Sequence, residues 1–285
     1  MRFFTLLILI LIIKPLAAEQ IYNCLPDSDL RYEQNFYKGM DKVEMVHSAI
    51  AEFKKTFSSY VFERTGKELI IINKWEEARV NAHATKDENG NPMITINGGM
   101  VRHPEMKKEG IYFILCHELG HFFGGAPRQF RGRSQILSWS SAEGQADYFA
   151  ATKCLPRIFS QLDNSGFQDN LQADLSKQKE VDRICNDRTC SKILLAGLSA
   201  TKVFASLKPW WKVPNFETPN NSSIGITNLS HPDPQCRLDT IVSGTFCDKR
   251  NEDFHPTDPK VGACLKDELL GALPGSRPSC WYKRD

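Results

Sequence analysis

The run Ile111-Tyr112-Phe113-Ile114-Leu115-Cys116-His117-Glu118-Leu119-Gly120-His121 decides how this chain is read. It spells H-E-x-x-H at the end of an apolar block. Two histidines four residues apart return to one face of an α-helix, and Glu118 lies about 100° round from His117. His117 and His121 are therefore placed to hold one zinc ion while Glu118 faces the water that the metal activates. The preceding apolar residues make this a buried central helix, where two histidines without partners would be costly. Gly120 points the same way. A glycine inside a helix costs roughly 0.5–1 kcal/mol against alanine, so another element is expected to pack closely there.

A catalytic zinc site uses three protein ligands and keeps a fourth place for water, so a third ligand is required. Glu143 is the candidate. It falls on an expected helix over Ser140–Pro156, where Ala142, Ala146 and Ala150 form a small-residue stripe that permits close approach to the zinc helix. Asp147 lies one turn further on, placed to accept a hydrogen bond from a ligand histidine and fix its tautomer. The competing reading of Glu143 is a capping box with Ser140 as N-cap.

Working outward, Val43, Val46, Ile50, Phe53, Phe57 and Val61 recur at helical spacing, which predicts an amphipathic helix from Asp41 to about Thr65, ended by Gly66. Glu68–Trp75 and Met93–Asn97 read as strands, the second after the turn Asn89-Gly90-Asn91-Pro92. Pro104 is expected to open the zinc helix. Arg128–Trp139 reads as a loop with three arginines, and Cys190–Leu207 as a further helix. Beyond it the chain reads as irregular and rich in cysteine and proline.

Residues 1–18 have the pattern of a secretory signal peptide: Arg2, an apolar block from Phe3 to Ile13, then Ala17-Ala18. That block is shorter than the roughly 20 residues a membrane span needs. Without the leader the 36 basic side chains fall by Arg2 and Lys14 to 34, against 34 acidic ones, a net charge near zero. That balance argues against a binder of nucleic acid or of an anionic surface. Nine cysteines in an exported chain imply disulfides. Sequence proximity suggests Cys185–Cys190, Cys236–Cys247 and Cys264–Cys280, with Cys116 in its apolar run as the thiol left over.

These motifs together resemble the gluzincin metallopeptidases, and more narrowly the family of HtpX and the CAAX prenyl endopeptidases. The resemblance rests on Asn81-Ala82-His83-Ala84, like that family's N-A-x-A, on His117–His121, on Glu143 to Asp147, like its E-x-x-x-D, and on His231-Pro232 with Arg237, like its late H-P and R. It implies an α+β, zincin-like metallopeptidase domain over residues 19–210, helices plus a small mixed sheet with an exposed edge strand near Met93–Asn97. A disulfide-rich irregular segment over residues 211–285 would complete the active site. It further implies that Asn81 and Ala82 contact substrate backbone and that His231 and Arg237 serve catalysis. Those relatives usually carry membrane-spanning helices, so the match is closer to exported soluble members.

The reading is thus a secreted or periplasmic zinc endopeptidase, monomeric, with His117, His121 and Glu143 as ligands and Glu118 as general base toward a peptide or protein substrate. The alternatives are a zinc hydrolase of cell-wall peptide or amide bonds and a non-catalytic binding module. His83 and His103 read as satisfied or surface histidines.

Overall fold

A computed structural model describes residues 22–34, 41–130, 136–162, 175–265 and 275–283, so the expected signal peptide lies outside the described residues. The fold is α+β. Helix α1 (Asp41–Thr65) buries Val46, Ala49, Phe53, Phe57 and Val61 along the stripe that the spacing predicts. Gly66 then takes φ 65° and donates its N–H to the Phe62 carbonyl, a left-handed stop that costs glycine little.

Strands β1 (Tyr22–Asn23), β2 (Ile70–Lys74), β3 (Ala82–Lys86) and β4 (Pro92–Asn97) form a mixed sheet in the order β1-β3-β4-β2. β2 runs parallel to β4, and β3 runs antiparallel to both β4 and β1. This corrects the placement of the edge. Met93–Asn97 is interior, hydrogen-bonded on both sides, and the edge strands are β1 and β2; β3 lies between β4 and the two-residue β1, and the sequence pattern does not announce it because Ala-His-Ala-Thr-Lys carries little apolar alternation.

After the short helix α2 (Gly98–Arg102), the zinc-motif helix α3 (Lys108–Phe123) starts later than Pro104 suggests, that proline lying in the intervening turn. Every residue of α3 from Gly110 to His121 is buried, because α1, β3, β4 and later helices surround it. The expected arginine loop instead contributes strands β5 (Arg128–Phe130) and β6 (Leu137–Ser141), which pair antiparallel; Arg131 and Arg133 lie outside the described residues. Helix α4 (Glu143–Phe149) continues through a π-helical turn (Ala150–Cys154) into α5 (Leu155–Gln161). Helices α6 (Leu175–Asp182), α7 (Arg188–Ala205) and α8 (Pro234–Thr245) follow.

Helix α8 corrects the view of the C-terminal region as irregular. Asp233 caps it through its side chain and Pro234 opens it, so His231-Pro232-Asp233-Pro234 is a helix entrance. α8 packs on α7 and α4, and the last described residues clamp α4: Trp281 fills the space at Gly144, and Arg277 Nε donates to Gln145 Oε1 at 2.6 Å.

Four disulfides are formed: Cys116–Cys154, Cys185–Cys190, Cys236–Cys280 and Cys247–Cys264. Only Cys185–Cys190 follows the proximity expectation. Cys236 lies in the first turn of α8 and Cys247 just past its end, and the helix from Cys236 to Thr245 alone rises about 14 Å, which holds them beyond the reach of a bridge. Cys116 is buried in α3 as expected but is not free, because the π-helical turn lays Cys154 over it at a Cα–Cα distance of 5.6 Å. The free cysteine is Cys24. No helix among the described residues is long and apolar enough to cross a membrane.

Candidate metal centre

Close packing of α3 against α4 brings the candidate ligands together, and Gly120 is the reason the helices approach so near. A Cβ at Gly120 would lie 2.8 Å from the Ala146 carbonyl oxygen and 2.9 Å from Ala146 Cα. Glu143 is the first residue of α4 after the N-cap Ala142, so the capping-box alternative does not hold; Ser140 belongs to β6.

His117 and His121 lie side by side with ring centroids 4.8 Å apart. Each is oriented through Nδ1. His117 Nδ1 lies 2.8 Å from Asp147 Oδ1, whereas His121 Nδ1 lies 2.9 Å from Ser140 Oγ and 3.1 Å from the Ser141 carbonyl oxygen. Both Nε2 atoms then point toward Glu143, at 3.3 Å for His117 and 3.7 Å for His121. These three side chains, all buried, bring donor atoms within 4.8 Å of one another and could hold a metal ion. Gln129 Nε2 donates to Glu143 Oε1 at 3.2 Å, which fixes the carboxylate from the β5 side.

Glu118 is fully buried at the same place, and apart from contact with the Cys24 thiol neither of its oxygens makes a hydrogen bond among the described residues. Burial is the largest influence on it and pushes its pKa up to about 8. Glu143 goes the other way. Burial alone would raise its carboxyl, but His231, His121 and His117 around it hold it well below the ordinary range. Asp147 is also lowered, burial being outweighed by the Arg237 guanidinium and by His117.

His231 and Arg237 both arrive from the entrance and first turns of α8, with different placements. His231 is partly open to solvent, with Nε2 3.6 Å from Glu143 Oε2. Arg237 is buried and faces away from solvent: Nε donates to Asp147 Oδ2 at 2.7 Å, Nη2 to Asp147 Oδ1 at 2.8 Å and Nη1 to the Cys24 carbonyl at 2.9 Å. It is a positioning residue for Asp147, and through Asp147 for His117. Asn81 precedes β3 and bonds its own neighbour, Oδ1 accepting from the Ala82 N–H at 2.9 Å, while the Ala82 carbonyl accepts from Cys24 N–H at 2.9 Å. His103 is satisfied by Ser206 Oγ at 2.9 Å and His83 lies in β3, so neither joins the ligand group.

Sequence reasoning misses Cys24 and Gln129. Neither has motif spacing to the zinc helix, since each reaches it through strand pairing. A third grouping, Cys247, Asp248 and Cys264, has its two sulfurs joined in a disulfide and offers no thiolate. No family model, curated protein or solved structure matches the chain.

Proposed function

We propose that the chain is a zinc-dependent endopeptidase with a zincin-like core, acting on peptide or protein substrates after export by its leader. One observation carries the reading: buried donor atoms of His117, His121 and Glu143 converge beside Glu118, whose carboxyl accepts from no N–H among the described residues. The donor set of two imidazoles and a carboxylate suits zinc and leaves room for a further ligand. Charge supports the same view. Burial disfavours the ionised form of Glu118, and a divalent ion beside it would supply the positive charge that favours that form.

Bound zinc supplies Lewis acidity, which activates water and polarises a carbonyl. The chain's own side chains do the rest. Glu118 accepts the proton of the attacking water and returns it to the leaving amine. Asp147, held by two bonds from Arg237, keeps His117 in the tautomer whose Nε2 faces the site. His231, at the solvent side of Glu143, is placed to donate to the oxyanion that forms on the carbonyl. Four disulfides suit an oxidising compartment, in keeping with a secreted or periplasmic location.

The test is metal analysis of the purified chain together with digestion of an unfolded-protein library, Glu118→Gln serving as control. About one zinc per chain in both proteins, with hydrolysis lost in Glu118→Gln, is the expected result for one catalytic site and one general base. A chain that binds no zinc, or a Glu118→Gln protein that hydrolyses as well as its parent, overturns the reading.

A further inference from the structure

An extended segment lies where a peptide would lie. Tyr22 and Asn23 pair antiparallel with Ala84 and His83 of β3, the Cys24 N–H continues the ladder to the Ala82 carbonyl at 2.9 Å, and the Cys24 carbonyl accepts from Arg237 Nη1 at 2.9 Å. Two hydrogen bonds of its own backbone and the pairing of the two residues before it therefore fix Cys24 along the outer side of β3, the kind of main-chain pairing by which a strand holds a peptide regardless of its sequence. The side chain this aims inward is the one free thiol of the nine cysteines, since the other eight form the four disulfides. Cys24 is fully buried, its sulfur touches His117 and Glu118, and these three side chains bring potential ligand atoms within 4.8 Å of one another. That group shares His117 with the group formed by His117, His121 and Glu143. The second observation is Glu118 itself, fully buried, with oxygens that no N–H among the described residues reaches. The thiol thus stands where the base needs its water.

We propose that the segment around Cys24 is an intramolecular inhibitor: its backbone occupies the β3 edge in place of an extended substrate, and its thiol sulfur ligates the metal in place of water. The proposal rests on the endopeptidase reading above. Activity then requires the segment to leave. A soft sulfur donor suits zinc, and tethering within the same chain gives the thiol a high effective concentration against any free peptide. The competent state is the minor one, populated at about 0.1–10% as is usual for a two-state element, so releasing the segment raises turnover about 10- to 1000-fold.

The experiment loads the full chain and its Cys24→Ala variant with Co(II) and reads absorption and peptide turnover on the same samples. In the parent chain a near-ultraviolet sulfur-to-cobalt charge-transfer band is expected beside the visible ligand-field bands. Cys24→Ala should lose the first, keep the second and hydrolyse the library about tenfold faster or more. A third protein carries a specific protease site in the Pro26–Asp29 stretch, so that the segment is cut from folded protein and a folding defect in Cys24→Ala cannot mimic a result. Visible bands without a charge-transfer band, and no gain in turnover on cutting, overturn the inhibitor while leaving the metallopeptidase reading intact if the parent hydrolyses. A charge-transfer band with hydrolysis by none of the three proteins makes Cys24 a structural ligand and overturns both. No cobalt binding by any protein overturns the metal site and the inhibitor together.

Discussion

At the scale of single residues, two glutamates of the same helical neighbourhood have opposite surroundings. Glu143 is ringed by His117, His121 and His231 and is further held by Gln129, whereas Glu118 accepts from no N–H among the described residues. A ligand must stay charged and fixed, and a base must be left free to take a proton. Glu143→Ala should therefore lose zinc as well as activity, since two histidines make an incomplete site, and metal analysis after dialysis checks it. Stoichiometric zinc retained by that variant would move the third ligand elsewhere, with Asp147 the next carboxylate in reach. His231→Ala should behave differently. Its Nε2 is within reach of Glu143 but its ring is partly solvent-exposed, so its removal should leave zinc content and thermal stability nearly unchanged while kcat falls by roughly 10². Wild-type turnover by His231→Ala would reduce this residue to a histidine of the α8 entrance. The proximity of His117 and His121 is legible in sequence because helical periodicity is local: four residues bring His121 under His117 whatever the rest of the chain does. Cys24 is not legible, because it is brought there by a two-residue strand paired to β3.

At the scale of elements, the joint between α3 and α4 sets the geometry of the ligand group. Gly120 has an ordinary helical conformation, so glycine is needed there for space and not for its backbone freedom, and the atoms a Cβ would meet are backbone atoms of Ala146, which cannot rotate away. Gly120→Ala gains roughly 0.5–1 kcal/mol of helix propensity and loses about 1–3 kcal/mol to overpacking. The second effect should win, giving a lower urea midpoint and weaker zinc binding together, because the same shift that relieves the clash moves Glu143 away from the histidines. A more stable Gly120→Ala protein would show that the α3–α4 gap is wider than 2.8 Å implies. Elements with strong local patterns are legible in the sequence. α1 occupies Asp41–Thr65, the span its apolar stripe marks out. Those that depend on partners are not: β3 alternates weakly, and β5 and β6 are short strands that make sense only as a pair. α8 hides behind proline and polar residues that read as a loop until Asp233 is seen to cap it.

At the scale of the whole molecule, the disulfides connect distant parts of the chain to the site. Cys116–Cys154 joins the zinc-motif helix to the π-helical turn, so α3 and the α4–α5 segment move as one unit. Cys236–Cys280 ties the first turn of α8 to the last described residues, and Cys236 is the immediate neighbour of Arg237, which holds both Asp147 and the Cys24 carbonyl. The sequence separation of this bridge is 44 residues, for which the chain-entropy account gives about 4 kcal/mol at 25 °C. Replacing both cysteines with serine should therefore lower unfolding free energy by up to about 4 kcal/mol, measured by denaturant titration of the metal-free chain. The effect should not stop at stability. Trp281, next to Cys280, is buried against Gly144, one residue after the ligand Glu143, and freeing the C-terminal residues loosens that wall of the site. Zinc affinity should fall in the double serine variant, and also in Trp281→Ala, which keeps the bridge but removes the wedge. Cys185–Cys190 is the control. It closes a five-residue separation at the start of α7, in an apolar cluster with Val181 and Leu194 that includes none of the candidate ligands, so its replacement should cost less stability and leave zinc affinity unchanged. If both pairs weaken zinc equally, the coupling is a general loss of folding. If only the Cys236–Cys280 pair does, the C-terminal clamp is part of what holds the ligands in place.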